Sequence, residues 1–285
     1  MTEIEKKAEF LIEAMPYIEK YQNKILVIKY GGNAMLGDEA KIEVMRDLTL
    51  LRCVGVKVVL VHGGGPEISE TLARMGIQSK FINGLRYTDE ETAEVVRMVL
   101  AGKVNKSLVH ILESLGAKSV GLSGIDGGML LCNKQDEKLG FVGNIVKVNP
   151  QLILDCLGKD YLPVISTVGC DQKGGIYNIN ADSAASAIAG ALQAESLILM
   201  TDVKGLLSDK NDENSLIKKV YVSDIESLIR EGIISGGMIP KINCCKEAIR
   251  RGVNRVFITD GRVKHSILLE LLSDEGMGTM FVKGD

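Results

Sequence analysis

Ile4, Ala8, Leu11, Ile12 and Met15 recur at helical spacing, so residues about 3–20 predict an amphipathic helix. Pro16 falls inside it and is expected to kink it, because proline lacks an amide donor and crowds the preceding turn. Apolar runs at Ile25–Lys29 and Val56–Val61 then read as buried strands, separated by a helix at Asp38–Arg52. The second run leads into a helix with Pro66 in its first turn, a favoured place for proline. Thr88 and Asp89 cap another helix, "DEETAEVVRMVLAG", and a further helix near Asn105–Leu115 precedes a strand at Ser119–Leu122. "MLLCNK", "FVGNIVKV", "LPVIS" and "GGIYNIN" are short β runs with turn residues between them, expected as hairpins decorating the sheet. A small-residue helix, "ADSAASAIAGALQA", precedes the strand "SLILMT". Helices at Ser223–Arg230, Pro240–Arg251 and Val263–Leu272 then alternate with strands at Arg255–Thr259 and Thr279–Lys283. Such alternation predicts an α/β chain with a mainly parallel sheet covered by helices on both faces.

Composition narrows the class. The chain has 285 residues, 46% of them hydrophobic, with no Trp and 5 Phe, so its core must be largely aliphatic. A net charge of −3 provides no basic field to attract nucleic acid or a membrane surface. No apolar run approaches the length of a membrane span, and the N-terminus carries acids throughout, unlike a targeting peptide. The cysteines at 53, 132, 156, 170, 244 and 245 form no CxxC pair, and the histidines at 62, 110 and 265 are far apart. The cysteines are read as reduced, small hydrophobes of a cytoplasmic protein, with no zinc site expected.

Glycine, at 31 residues, points to the chemistry. "KYGG", "HGGGPEIS", "SGIDGG" and "TDVKGL" all follow predicted strands, where ligands of such sheets bind. Bare backbone at a helix start suits an anion; a tight turn is the other use of glycine. No GxGxxG and no GxxxxGK[ST] occurs, which argues against a dinucleotide dehydrogenase and a Walker-type ATPase. Lys29 closes a buried strand and either escapes to solvent or serves a site. Lys241, in "SGGMIPKI", stands at a helix start, where the dipole repels a cation. Two such lysines beside glycine loops suit a phosphoryl group in transfer. Asp182 is either a helix N-terminal acid or the group that holds both lysines. Arg86 is either a surface charge or a bidentate carboxylate ligand.

"KYGGNAM", "VHGGGPEIS", "GLRYTD", "NINADSAA", "TDVKGL", "GGMIPK" and "DEGMGT" stand in the order and spacing of the amino acid kinase family. The chain resembles that family from Ile25 to Val282, and within it the members that act on N-acetylated glutamate. The resemblance implies an open αβα sandwich. It implies an N-terminal helix, residues 1–22, for oligomerisation and regulation, and a kinase domain over 23–285. That domain would divide into an acceptor lobe, 23–195, and a nucleotide lobe, 196–285. Lys29 and Lys241 would stabilise the phosphoryl in flight, with Asp182 organising them. Gly64, Gly65, Arg86, Asn178 and Asn180 would bind the acceptor. Gly31, Gly32, Thr201, Asp202, Gly205, Leu206, Gly236, Gly237 and Met238 would contact phosphates and nucleotide.

The implied reaction is phosphorylation of the γ-carboxylate of N-acetyl-L-glutamate by ATP, with Mg2+ arriving on the nucleotide. A carboxylate with a pKa of about 4.3 is already ionised at neutral pH, so no general base is required. By the same resemblance, arginine would inhibit the enzyme at a pocket including His265, Glu270 and Gly276. The assembly would then be a hexamer built as a trimer of dimers. Kinases of the same fold acting on glutamate, aspartate, carbamate or UMP are the nearest rival reading. A non-catalytic amino-acid sensor is another, which the joint presence of Lys29, Asp182 and Lys241 opposes.

Overall fold

A computed structural model of the chain describes residues 2–32, 37–209, 211–274 and 276–284. Residues 33–35 of the first glycine motif and Glu275 of the last lie outside them, as does the side chain of Ile4. The chain opens with helix α1 (Glu3–Tyr21), strand β1 (Ile25–Tyr30), α2 (Asp38–Cys53), β2 (Lys57–His62) and α3 (Gly65–Arg74). A small hairpin, β3 (Phe81–Ile82) and β4 (Leu85–Arg86), precedes α4 (Glu90–Arg97). That helix continues through a π-helical stretch, Met98–Val104, into α5 (Asn105–Ser114). Next come β5 (Ser119–Ser123), β6 (Leu130–Lys134), β7 (Gly143–Val148), α6 (Gln151–Gly158), β8 (Leu162–Ser166), β9 (Val168–Cys170) and β10 (Ile176–Asn178). The remainder is α7 (Ala181–Ala191), β11 (Ser196–Thr201), β12 (Lys219–Tyr221), α8 (Ile225–Arg230), α9 (Met238–Arg250), β13 (Arg255–Asp260), α10 (Ser266–Leu271) and β14 (Thr279–Val282).

Eight strands form one sheet in the order β12-β14-β13-β11-β1-β2-β8-β5, parallel at every pair except β13 with β14. Successive strand residues point to opposite faces, and the core divides accordingly. Leu26, Ile28, Leu60 and Ile198 join the cluster under α2 to α5, while Val27, Val59, Val61, Leu197 and Leu199 join that under α6, α7 and α9. Helices therefore cover both faces, as the alternation predicts. "MLLCNK", "FVGNIVKV" and "GGIYNIN" do form a separate four-stranded sheet, β10-β9-β6-β7. "LPVIS" does not: β8 lies within the main sheet between β2 and β5, entirely buried, with Pro163 near its start.

Helix α1 begins with a capping box between Thr2 and Glu5 and runs on through Pro16. The stripe that seats it is Ala14, Tyr17, Ile18 and Tyr21, whose spacing repeats on one helical face. Leu11 and Ile12, each 65% exposed, and Met15, 53% exposed, are left on the outside.

Candidate active site

Lys29 follows Val27 by two residues and so projects onto the face covered by α7 and α9. It does not escape to solvent. The residue is 4% exposed, and Nζ lies 2.9 Å from Oδ1 of Asp182, in the first turn of α7. From α9, Lys241 Nζ donates to the other oxygen, Oδ2, at 3.0 Å. The small residues of α7 allow this convergence: Ala184, Ala185, Ala187 and Ala189 are buried, and Ser186 Oγ donates to the Cys244 carbonyl of α9 at 3.0 Å. Burial, the largest influence on Asp182, works to raise its pKa; the two ammonium groups outweigh it and hold the carboxyl at about 2. The trio thus carries one net positive charge, in a place shielded from water.

Three helix N-termini meet around it. Those of α3, at Gly64 and Gly65, and of α7, at Asn180 and Ala181, line a cavity of about 310 Å3 together with Lys29 and Asp182. The N-terminal end of α9, at Gly237 and Met238, lines a second cavity of about 590 Å3. Lys241 lies in the wall of both. Dipole ends and unpaired N–H groups of this kind attract anions. Asn180 orders the start of α7, its side-chain oxygen accepting from the N–H groups of Asp182 and Ser183 at 3.0 and 3.1 Å. The two glycine loops touch: a Cβ on Gly31 would lie 3.3 Å from the Gly63 nitrogen and 3.2 Å from Lys29 Cε.

Arg86 is not a surface charge. It is 7% exposed, with Nη2 donating to the Gly65 carbonyl at 2.9 Å and to Ser69 Oγ at 2.8 Å, and Nη1 to Ser79 Oγ at 2.7 Å. The guanidinium carbon sits 4.8 Å from the centre of the Phe81 ring, so the β3–β4 hairpin and the glycine loop are held together by one side chain. Arg86 and Asn178 both line the smaller cavity, and the Asn178 amide donates to Thr88 Oγ1 at 3.3 Å.

On the other side of Lys241, Asp202, Gly205, Leu206, Gly237 and Met238 line the larger cavity with Lys204 and Arg262. Gly236 lies with Gly237 in an open trough that also reaches Asp182 and Lys241. Thr201 is buried behind the wall, where its hydroxyl accepts from the Val203 N–H at 3.1 Å and fixes the turn. Gly205 has φ of 152°, and a Cβ there would come within 2.5 Å of Thr279 Oγ1, so only glycine fits. Cys244 also faces the trough, but burial pushes its thiol up to about 11, which leaves it protonated and unreactive at neutral pH.

A separate cavity of about 640 Å3 lies between α1 and the last strands. Glu270 and Gly276 line it with Tyr17, Lys20 and Arg255. Glu270 accepts from the N–H groups of Met277 and Gly278, each at 2.7 Å. His265 is not in this wall: its ring meets α2 instead, with Nδ1 2.6 Å from Asp47 and Nε2 3.6 Å from Glu43. The sequence pattern places it near Glu270 along the chain, but α10 is short and its start turns the ring away. Sequence reasoning also gave no role to the buried pair His62 and Asn105, which adjoins the α3 loop.

Residues 24–260 match the amino acid kinase family. Over 279 residues the chain is 57% identical to the acetylglutamate kinase of Clostridioides difficile (strain 630), covering 98% of each. It is 55% identical to that of Brachyspira hyodysenteriae, covering 97% of each. Among solved structures it resembles the N-acetylglutamate synthase of Neisseria gonorrhoeae complexed with coenzyme A and N-acetyl-glutamate, with a TM-score of 0.85 at 24% identity. That likeness covers 98% of this chain but 64% of the synthase, and it speaks for the fold.

Proposed function

The chain belongs to the amino acid kinase family and is a phosphoryl-transfer enzyme; from this we propose that it phosphorylates the γ-carboxylate of N-acetyl-L-glutamate with ATP, in arginine biosynthesis. The observation that carries the proposal is Asp182 bridging Lys29 and Lys241 where the two cavities meet. The smaller cavity takes the acceptor, with Arg86 and Asn178 in its wall and the Gly64 and Gly65 backbone at its end. The larger takes the nucleotide, Leu206 and Met238 offering apolar surface to the base and Lys204 a cation to the phosphates. Between them the chemistry must bring a carboxylate and a triphosphate together, so positioning and charge neutralisation carry it. Lys29 is fixed by burial, whereas Lys241 reaches both cavities and follows the charge as it moves from nucleotide to acceptor. Magnesium on the nucleotide neutralises phosphate charge when bound; the Asp182 carboxylate, already occupied by two lysines, is left to position them. The residues assigned to the acceptor fall before Glu195 and most of those assigned to the nucleotide after it, in keeping with an acceptor lobe and a nucleotide lobe.

A substrate panel with hydroxylamine trapping of the acyl phosphate tests the reading. N-acetyl-L-glutamate is expected to be strongly preferred over free glutamate, whose ammonium is left unpaired in a site for a neutral amide. Comparable kcat/KM on the two would sink it.

Regulation by arginine and a hexameric assembly belong to the same proposal. Support comes from the cavity beside α1, whose wall holds the Glu270 carboxylate, suited to a guanidinium, and the cations Lys20, Lys219 and Arg255, suited to an α-carboxylate. Leu11, Ile12 and Met15 give α1 an apolar surface for another subunit. Charging it in the full chain, as Leu11→Asp with Ile12→Asp, is expected to leave an active, smaller particle by light scattering. Arginine inhibition is expected to weaken in parallel. An intact protein that runs as a dimer and ignores millimolar arginine overturns this part and leaves the catalytic part standing.

A further inference from the structure

His62 ends β2 fully buried, one residue before the glycine loop. Its Nδ1 is 2.8 Å from the Gly63 carbonyl oxygen, an acceptor, so Nδ1 must carry the proton. Its Nε2 is then an acceptor and lies 3.1 Å from Nδ2 of Asn105, itself fully buried. That amide nitrogen also stands 3.1 Å from the Leu122 carbonyl and 2.9 Å from the Val164 carbonyl, so it too can only be a donor. The two amide hydrogens are shared among these three acceptors, which leaves a neutral ring, one tautomer, and a single side chain joining β2, β5 and β8. Burial holds the ring neutral, with its pKa lowered to about 4.

The consequence lies in the next peptide. The Gly63–Gly64 bond is trans, and across a trans peptide the C=O and N–H point in opposite directions. Drawing the Gly63 carbonyl to the buried His62 ring therefore turns the Gly64 N–H away from that ring, and Gly63, Gly64 and Gly65 all line the acceptor cavity. The π-helical stretch presses from behind. A Cβ on Gly64 would lie 2.7 Å from Leu100 Cδ2 and 3.2 Å from Val104 Cγ2, and the same stretch delivers Asn105 to His62. We propose that His62 and Asn105 are positioning residues for the acceptor, locking the Gly63–Gly64 peptide so that its N–H is pre-aimed at the acceptor carboxylate. The proposal rests on the acceptor assignment made above.

Two substitutions separate positioning from support. In His62→Asn the amide nitrogen takes the place of Nδ1 and can still donate to Gly63. In His62→Gln the amide lies near the former Nε2 and the donor to Gly63 is lost. His62→Gln is expected to lower kcat/KM for N-acetyl-L-glutamate by about tenfold with the ATP KM within about twofold, while His62→Asn stays within about threefold of wild type. Equal losses in both variants, or an ATP KM that moves in step, overturn the proposal. Nitrogen NMR of the wild-type histidines needs no variant and no substrate. A neutral His62 protonated at Nδ1 is expected at pH 7, and the Nε2-protonated tautomer overturns the proposal. A wild-type enzyme inactive on N-acetyl-L-glutamate would instead remove the acceptor assignment, whatever the tautomer.

Discussion

Lys241→Ala is expected to lower kcat on the order of a hundredfold while leaving the acceptor KM within about threefold. The cause is the place of the ammonium, 3.0 Å from Asp182 and in the wall of both cavities. A cation there meets little charge when only one substrate is bound and the most when the phosphoryl is between them. Interactions that strengthen only in the transition state appear in kcat. Steady-state kinetics with both substrates varied will show it, and a variant with near-normal kcat would remove Lys241 from the chemistry. Lys241 is only 26% exposed, but Asp182 keeps Lys29 as its partner when Lys241 is lost, so the variant should cost less stability than removal of the carboxylate.

Asp182→Asn is expected to do the reverse: a loss of stability of about 3 kcal/mol together with a loss of activity. Lys29 is 4% exposed, and removing its counter-charge leaves a buried cation uncompensated. The sign with pH follows from the lowered pKa. Because the folded value is about 2 against an ordinary 3.8, the carboxylate contributes stability above pH 3.8 and loses it as pH falls toward 2. Denaturant titrations at pH 7 and pH 3 should therefore show the difference between wild type and Asp182→Asn narrowing at the lower pH. Equal stability of the two at pH 7 would mean that Lys29 finds another partner or leaves the core.

The strands of the main sheet were legible because parallel strands buried on both faces read as unbroken apolar runs, as in "ILVIK" and "SLILMT". Lys29 and Lys241 were legible as candidates because each broke a local expectation, a cation in a strand and a cation at a helix N-terminus, whereas Asp182 broke none and stood open between a helix N-terminal acid and a holder of the lysines. Their meeting was not, since it depends on how closely α7 and α9 approach. Helix α6 was missed altogether. "QLILDCLG" has fewer than three turns and a nearly all-apolar first half, which fits a strand as well as a helix. The π-helical stretch was read as ordinary helix, because seven residues are too few to separate the two periods. Arg86 stood open between two readings because its three oxygen partners come from the first residue of α3, the second turn of α3 and the segment before β3. His62 was visible in "HGGG", but nothing in the sequence connects it to Asn105, which arrives by way of the π-helical stretch.

The order of strands in the main sheet also sets a timetable for synthesis. Strand β1, which carries Lys29, pairs on one side with β2, made soon after it, and on the other with β11, where Lys29 faces Leu199. Roughly 170 residues separate those two positions, so at ribosomal speeds β1 waits on the order of ten to thirty seconds with one apolar edge unpaired. The nascent chain cannot close its sheet early, and the three charges of the Lys29–Asp182–Lys241 cluster are brought together only once α9 has emerged.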